Sequence, residues 1–264
     1  MNTDPEHAYV AERYNLALLD WFDSNLGKTV LATEKVCISR VLPDLFGYHI
    51  LQIGSPAGVN LLDSSRINHK IVASQFVQDN SAHNSDLLCD NNALPVMSES
   101  MDVVLLPHIL EFEDNPHQIL RESERVLIGE GHLVIIGFNP LSFWGGWRLF
   151  LAWRDHPPWN GNYISLTRLK DWLTLLDFEI IKIEKFFFRP PLKNIRLMQS
   201  LKVMEQLGKY CWPYFGGVYL LVAKKRVVSM TPIKLQWQSR RHMITSGLIE
   251  PSARLKHQYK NSQR

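Results

Sequence analysis

Seven short apolar runs of strand length, set between stretches of helical spacing, leave this 264-residue chain few folds to choose from. His49–Ile53 follows Gly47 as the first run. Lys70–Ala73, Asp86–Asp90, Met101–Pro107, His132–Phe138, Glu179–Phe187 and Gly217–Ala223 come after it. Runs this short and this continuously apolar are buried strands of a largely parallel sheet. Between them, Val10, Tyr14, Leu18 and Phe22 mark a helix over 8–24, and Val30, Leu31, Val36, Ile38 and Val41 surround Glu34 in a helix over 29–42. Asn115-Pro116 offers an N-cap and a first-turn proline for a helix through Ile119, Leu120 and Val126 to a turn at Gly129-Glu130-Gly131. Leu166–Leu176 repeats the helical pattern. The alternation predicts an α/β, Rossmann-like sheet of seven mostly parallel strands with helices on both faces and ligands at the strands' carboxyl ends.

Within that frame, residues 1–47 are expected to form an N-terminal helical cap and 48–226 the sheet domain. Helical and aromatic insertions fall near 140–165 and 190–213 of that domain, and 227–264 is a basic tail. From Lys224 onward ten Lys/Arg face one acid, Glu250, although the whole chain carries only +3. Such a tail can bind nucleic acid by counterion release, but a solvated segment folded against an acidic body is the favoured reading. Cys37, Cys89 and Cys211 are odd in number and lack CxxC spacing, which argues against disulfides and structural zinc. No signal peptide is apparent, and no apolar stretch approaches the roughly 18 residues of a membrane span. The expectation is a cytoplasmic protein with no metal.

Four ordered segments narrow the reading. Leu51-Gln52-Ile53-Gly54-Ser55-Pro56-Ala57-Gly58 is a strand running into a glycine turn, where a side chain would collide with a bound ligand. Cys89-Asp90-Asn91-Asn92-Ala93-Leu94-Pro95 places an acid four residues before Leu-Pro. Ser98–Asp102 leads through the fourth strand into Pro107-His108-Ile109-Leu110-Glu111-Phe112, and Gln118–Leu127 is followed by Gly131. In this order and spacing, the segments resemble the class I S-adenosylmethionine (SAM)-dependent methyltransferases, in particular the type 11 family. The resemblance narrows further, through Gly137-Phe138-Asn139-Pro140, Phe143-Trp144-Gly145 and Phe188-Arg189-Pro190-Pro191, to a bacterial subgroup and then covers nearly the whole chain.

The resemblance implies SAM as cofactor, bound by Gly54, Ser55, Gly58, Ser74, Asp90, Asn91 and Pro107. Asp90 would accept from the adenine amino group. Three positions depart from the family pattern. Gln52 stands in place of an acid, Pro56 interrupts the glycine loop, and Ser74 or Gln75 replaces the acid at the end of the second strand that grips the ribose. A nicotinamide-type Rossmann site fits less well, because the loop reads Gly-x-x-x-Gly and position 74 is not acidic.

Methyl transfer is an in-line displacement in which the protein mainly positions two partners. His108, just after the fourth strand, is the candidate substrate-facing group or general base, with a packed structural histidine as the alternative. Glu111 is the candidate that orients it, a carboxylate at a helix start being the alternative. Asn139 ends the fifth strand, where it either lines the pocket or caps the next segment. Phe143, Trp144, Trp147, Leu149, Phe150 and Trp153 form a lid over an apolar acceptor, a membrane-touching segment, or simply core. The leading expectation is therefore methyl transfer to a small apolar or aromatic acceptor. A catalytically silent module of the same fold, or an RNA or protein methyltransferase anchored by the tail, are the alternatives.

Overall fold

The computed structural model describes residues 17–55, 58–75, 85–151, 158–190 and 215–227. Residues 17–23 are helical and lead into α1 (Asn25–Val41), whose N-cap Ser24 accepts a hydrogen bond from Gly27 N. The strands are β1 (His49–Ile53), β2 (His69–Ser74), β3 (Leu87–Leu88), β4 (Met101–Pro107), β5 (Leu127–Phe138), β6 (Phe178–Phe186) and β7 (Val218–Lys225). Further α-helices among the described residues are α2 (Pro116–Val126), α3 (Phe143–Leu151) and α4 (Leu166–Leu175). The strands form one seven-stranded sheet in the order β3-β2-β1-β4-β5-β7-β6. Pairing is parallel from β3 to β5, and β7 runs antiparallel between β5 and β6. The α/β, mostly parallel reading of the sequence holds.

Strict alternation divides the core. Ile50, Val103, Leu105, Val134, Ile136 and Val218 point to one face, where α1 supplies Val30, Leu31, Ile38 and Val41. Leu51, Ile53, Val104, Leu106, Leu133, Ile135 and Leu221 point to the other, covered by Ile119 and Leu120 of α2 and Leu169 and Leu173 of α4. Each fully buried aliphatic side chain contributes about 1.5–3 kcal/mol, so a one-residue register slip would turn both faces inside out.

The structure differs from the sequence reading at three boundaries. β5 begins at Leu127 rather than His132, because Leu127 pairs with Met101 before the register shifts to Val103–His132. Gly129-Glu130-Gly131 is the slack in that shift, with Glu130 at φ +67°, so the expected turn is a bulge inside a strand. The third strand shrinks to two residues: Asp86 turns its side chain to Val72 N, and Asp90 starts a turn through Asn92 N. Asn115 precedes α2 without capping it, and Pro116 alone marks the start. The expected insertion at 190–213, the basic tail beyond residue 227 and most of the 8–24 helix lie outside the described residues. Among those described, no helix is long and apolar enough to cross a membrane.

Candidate cofactor and acceptor site

After the carboxyl end of β1 the chain turns through two glycines. Gly54 lies at φ +82° and Gly58 at φ +65°, both in the left-handed region. Gly54 N donates to Ala73 O (2.9 Å), which joins the turn to β2, and a Cβ at 54 would meet Ile109 Cδ1 at 3.3 Å. Pro56 and Ala57 lie outside the described residues. Gln52 explains how the loop is held. Its Nε2 donates to Gly54 O (2.9 Å) and Val59 O (3.1 Å), while its Oε1 accepts from Leu61 N (2.9 Å). A fully buried carboxylate could accept from Leu61 but could not donate to two carbonyls, so the amide suits this loop better than the acid of the family pattern.

Next along the rim come Ser74, buried at the end of β2, and the 90–95 segment. Asp90 Oδ1 accepts from Asn92 N (2.8 Å) and Nδ2 (3.2 Å), and the residue is exposed. Asn91 is buried. Its Nδ2 donates to Glu113 Oε1 (2.8 Å) and reaches Gln75 Oε1 (3.4 Å), while its Oδ1 is buried with no hydrogen-bond partner among the described residues. Burial pushes the Glu113 carboxyl above its ordinary range; the Asn91 hydrogen bond pulls the other way, and nearby Asp90 and Asp114 push it up further. Arg125 fastens the same segment from α2, donating to Leu94 O (3.0 Å) and Val96 O (2.9 Å) while paired with Glu122 (2.8 Å).

His108 stands after β4, as expected, but its ring is directed inward. Strict alternation from Val104 and Leu106 would place position 108 on the α2 face. The φ of +53° turns the ring against Phe22 and Phe138 on the α1 face instead. Its Nε2 bonds Glu34 Oε1 (2.8 Å) and its Nδ1 bonds Glu111 Oε2 (3.1 Å). Relative exposure is 2% for His108, 2% for Glu111 and 0% for Glu34. Burial opposes the imidazolium, but the Glu34 charge and the hydrogen bonds to both carboxylates outweigh it, and the His108 pKa is pushed up to about 10. Glu111 accepts from Phe138 N with its other oxygen, and burial lifts its carboxyl above the ordinary range. Glycine is required at 137, because a Cβ there would lie 2.6 Å from Tyr219 Oη and 2.9 Å from Glu111 Oε1.

Sequence reasoning missed Glu34, Glu113 and the tying role of Gln52. Glu34 carried a signal: it sits in the apolar stripe of Val30, Ile38 and Val41, where a charge needs a buried partner. Asn139 acts as a cap, its Oδ1 accepting from Leu141 N (3.1 Å) and its Nδ2 donating to Gly216 O (2.9 Å). Of the aromatic segment, Trp144 is core, stacked on Phe138 at 5.5 Å, while Phe143 and Trp147 are exposed. Beside them a cleft of about 500 Å³ is lined by Pro140, Leu141, Ser142, Gly145, Gly146, Arg148 and Phe215.

Comparison with known proteins points the same way. Residues 51–135 match the family described as a methyltransferase domain, type 11. The uncharacterised protein YafS of Escherichia coli K12 is 31% identical over 212 residues, which span 80% of this chain and 82% of YafS. MJ1123 of Methanocaldococcus jannaschii is 25% identical, over 81% of this chain and 96% of its own. Among solved structures, a SAM-dependent methyltransferase from Archaeoglobus fulgidus superposes with a TM-score of 0.52 at 20% identity, covering 74% of this chain and 94% of that one, which speaks to the fold. With the family match, the YafS relationship and the glycine turn at the carboxyl ends of a Rossmann-like sheet in agreement, this chain belongs to the type 11 family of class I SAM-dependent methyltransferases.

Proposed function

We propose that the chain methylates a small, largely apolar or aromatic acceptor bound in the cleft between Pro140 and Phe215. The observation that carries this reading is the cleft itself, which opens after the carboxyl end of β5, at the same pole of the sheet as the Gly54 turn. Its volume of about 500 Å³ falls in the range of small-molecule sites, and its lining is mostly apolar.

SAM supplies an activated methyl group on a sulfonium, and the residues present suit it. Backbone groups at Gly54, Ser55 and Gly58, with Ser74, Asp90, Asn91 and Pro107, would hold it. The orphaned Asn91 Oδ1 and the nearby carboxylates are acceptors, which match hydroxyl and amino donors better than they match phosphates. Gln52 keeps the turn in shape from behind.

In this reading His108 and Glu111 are positioning residues. An imidazolium already shared between two carboxylates has no lone pair with which to take a proton. The acceptor therefore reacts through an atom with an available lone pair and releases its proton to water. Residues 17–41, within the region that the sequence marks as an N-terminal cap, are held to the sheet through Glu34.

The test uses Gly146, where an added Cβ meets nothing within 4 Å. Gly146→Leu should place a side chain in the cleft that Gly146 lines. Against a panel of phenols, arylamines and apolar thiols, S-adenosylhomocysteine release should fall at least tenfold while cofactor affinity stays within twofold. Unchanged turnover on a substrate of the parent protein would remove the cleft as acceptor site.

A further inference from the structure

The second strand ends without the acid that the family pattern places against the ribose; Ser74 and Gln75 stand there instead. Another carboxylate is nonetheless brought to this spot, from a different loop. Glu113 follows β4, and its Oε1 shares the Asn91 amide with Gln75 Oε1. One nitrogen lies 2.8 Å from the first oxygen and 3.4 Å from the second, so the two oxygens are one amide apart. Asn91 spends both of its hydrogens on this bridge, and its own oxygen is left buried and unpartnered among the described residues. An amide oxygen held out of water without a donor is disfavoured, so a ligand hydroxyl or amino group is the fitting occupant.

We infer that Glu113 replaces the missing strand-2 acid, accepting from the ribose hydroxyls of the cofactor, with Asn91 Oδ1 taking a neighbouring donor. The inference rests on the cofactor assignment and adds to it a residue from outside the family motif. The carboxylate comes from the β4 side and is aimed by Asn91 rather than by the strand itself. That arrangement explains how Gln75 is tolerated. An acid at 75 would face Glu113 across a single amide, and like charges at that spacing oppose each other.

The experiment is calorimetric titration of the full-length protein with S-adenosylhomocysteine and with its 2′,3′-dideoxyribose analogue. The proteins compared are the parent, Glu113→Gln and the double variant Glu113→Gln/Gln75→Glu. A charge-assisted hydrogen bond replaced by a neutral one should weaken S-adenosylhomocysteine about tenfold in Glu113→Gln. The same substitution should change the affinity of the dideoxy analogue by less than about twofold. The double variant, with the acid returned to strand 2, should recover most of the loss. Equal losses for both ligands would show that Glu113 merely shapes the loop, and unchanged affinity in Glu113→Gln would show that it does not touch the ribose. Either result overturns the inference while leaving the cofactor assignment intact. No binding by the parent protein would overturn the assignment and the inference together.

Discussion

Replacing Glu34 by Gln isolates the charge in the buried Glu34–His108–Glu111 chain while keeping its shape, since the amide oxygen can still accept from His108 Nε2. The His108 pKa rises from the ordinary 6.5 to about 10 in the folded protein. A raised imidazole pKa contributes stability that is fully present below pH 6.5 and lost as pH climbs through 10. At about 1.4 kcal/mol per unit, the full effect is on the order of 5 kcal/mol. Burial opposes the charge, and Glu34 is the largest of the influences that favour it, ahead of the bond to Glu111, so its neutralisation should remove a substantial part, on the order of 3 kcal/mol. Urea unfolding at pH 6.5, 8, 9 and 10 can be followed by tryptophan fluorescence, since Trp21 and Trp144 both pack on Phe138 beside the His108 ring. The gap between parent and Glu34→Gln should be widest at pH 6.5 and narrow toward pH 10, where the parent imidazole loses its proton. A gap that stays constant with pH would refute the charged chain and leave only a hydrogen bond.

Three further outcomes are expected. Gln52→Glu, the residue of the family pattern, should destabilise by about 2–4 kcal/mol in thermal unfolding, because two donors to Gly54 O and Val59 O are lost and a charge is buried; a stabilised variant would show that the loop reorganises. Arg125→Ala should cost about 2–3 kcal/mol and speed amide exchange across 94–97, since Leu94 O and Val96 O lose their donor; unchanged exchange there would discount the latch. Gly54→Ala should lose about 1–2 kcal/mol to its φ of +82° and weaken S-adenosylhomocysteine measurably in calorimetry, and equal affinity would take Gly54 out of the cofactor turn.

The sheet was readable because burial on two faces writes itself as continuous apolar runs, and Met101–Pro107 is apolar enough to admit no other reading. β3 was overestimated because an edge strand is set by where its hydrogen bonds stop, and Asp86 and Asp90 each divert the chain with a side chain. The bulge in β5 was invisible because Gly-Glu-Gly spells a turn equally well inside or outside a strand. At the site, local turns such as Gly54 follow from residue type. The pairings His108–Glu34 and Asn91–Glu113 join residues 74 and 22 positions apart, and no local pattern encodes them. The direction of the His108 ring hung on a single φ of +53° in a residue that is not glycine.

The tie between Glu34 and His108 also constrains motion. Swinging α1 away from the sheet would separate an imidazolium from a carboxylate before water reached either, and breaking such a pair in a dry interior costs about 3–5 kcal/mol. An excursion that expensive is populated less than about one time in a hundred, so helix α1 behaves as a wall and not as a door. Under the proposed function, acceptor and product pass on the β5 side, around Leu141, Phe143 and Phe215, whose side chains are already in solvent.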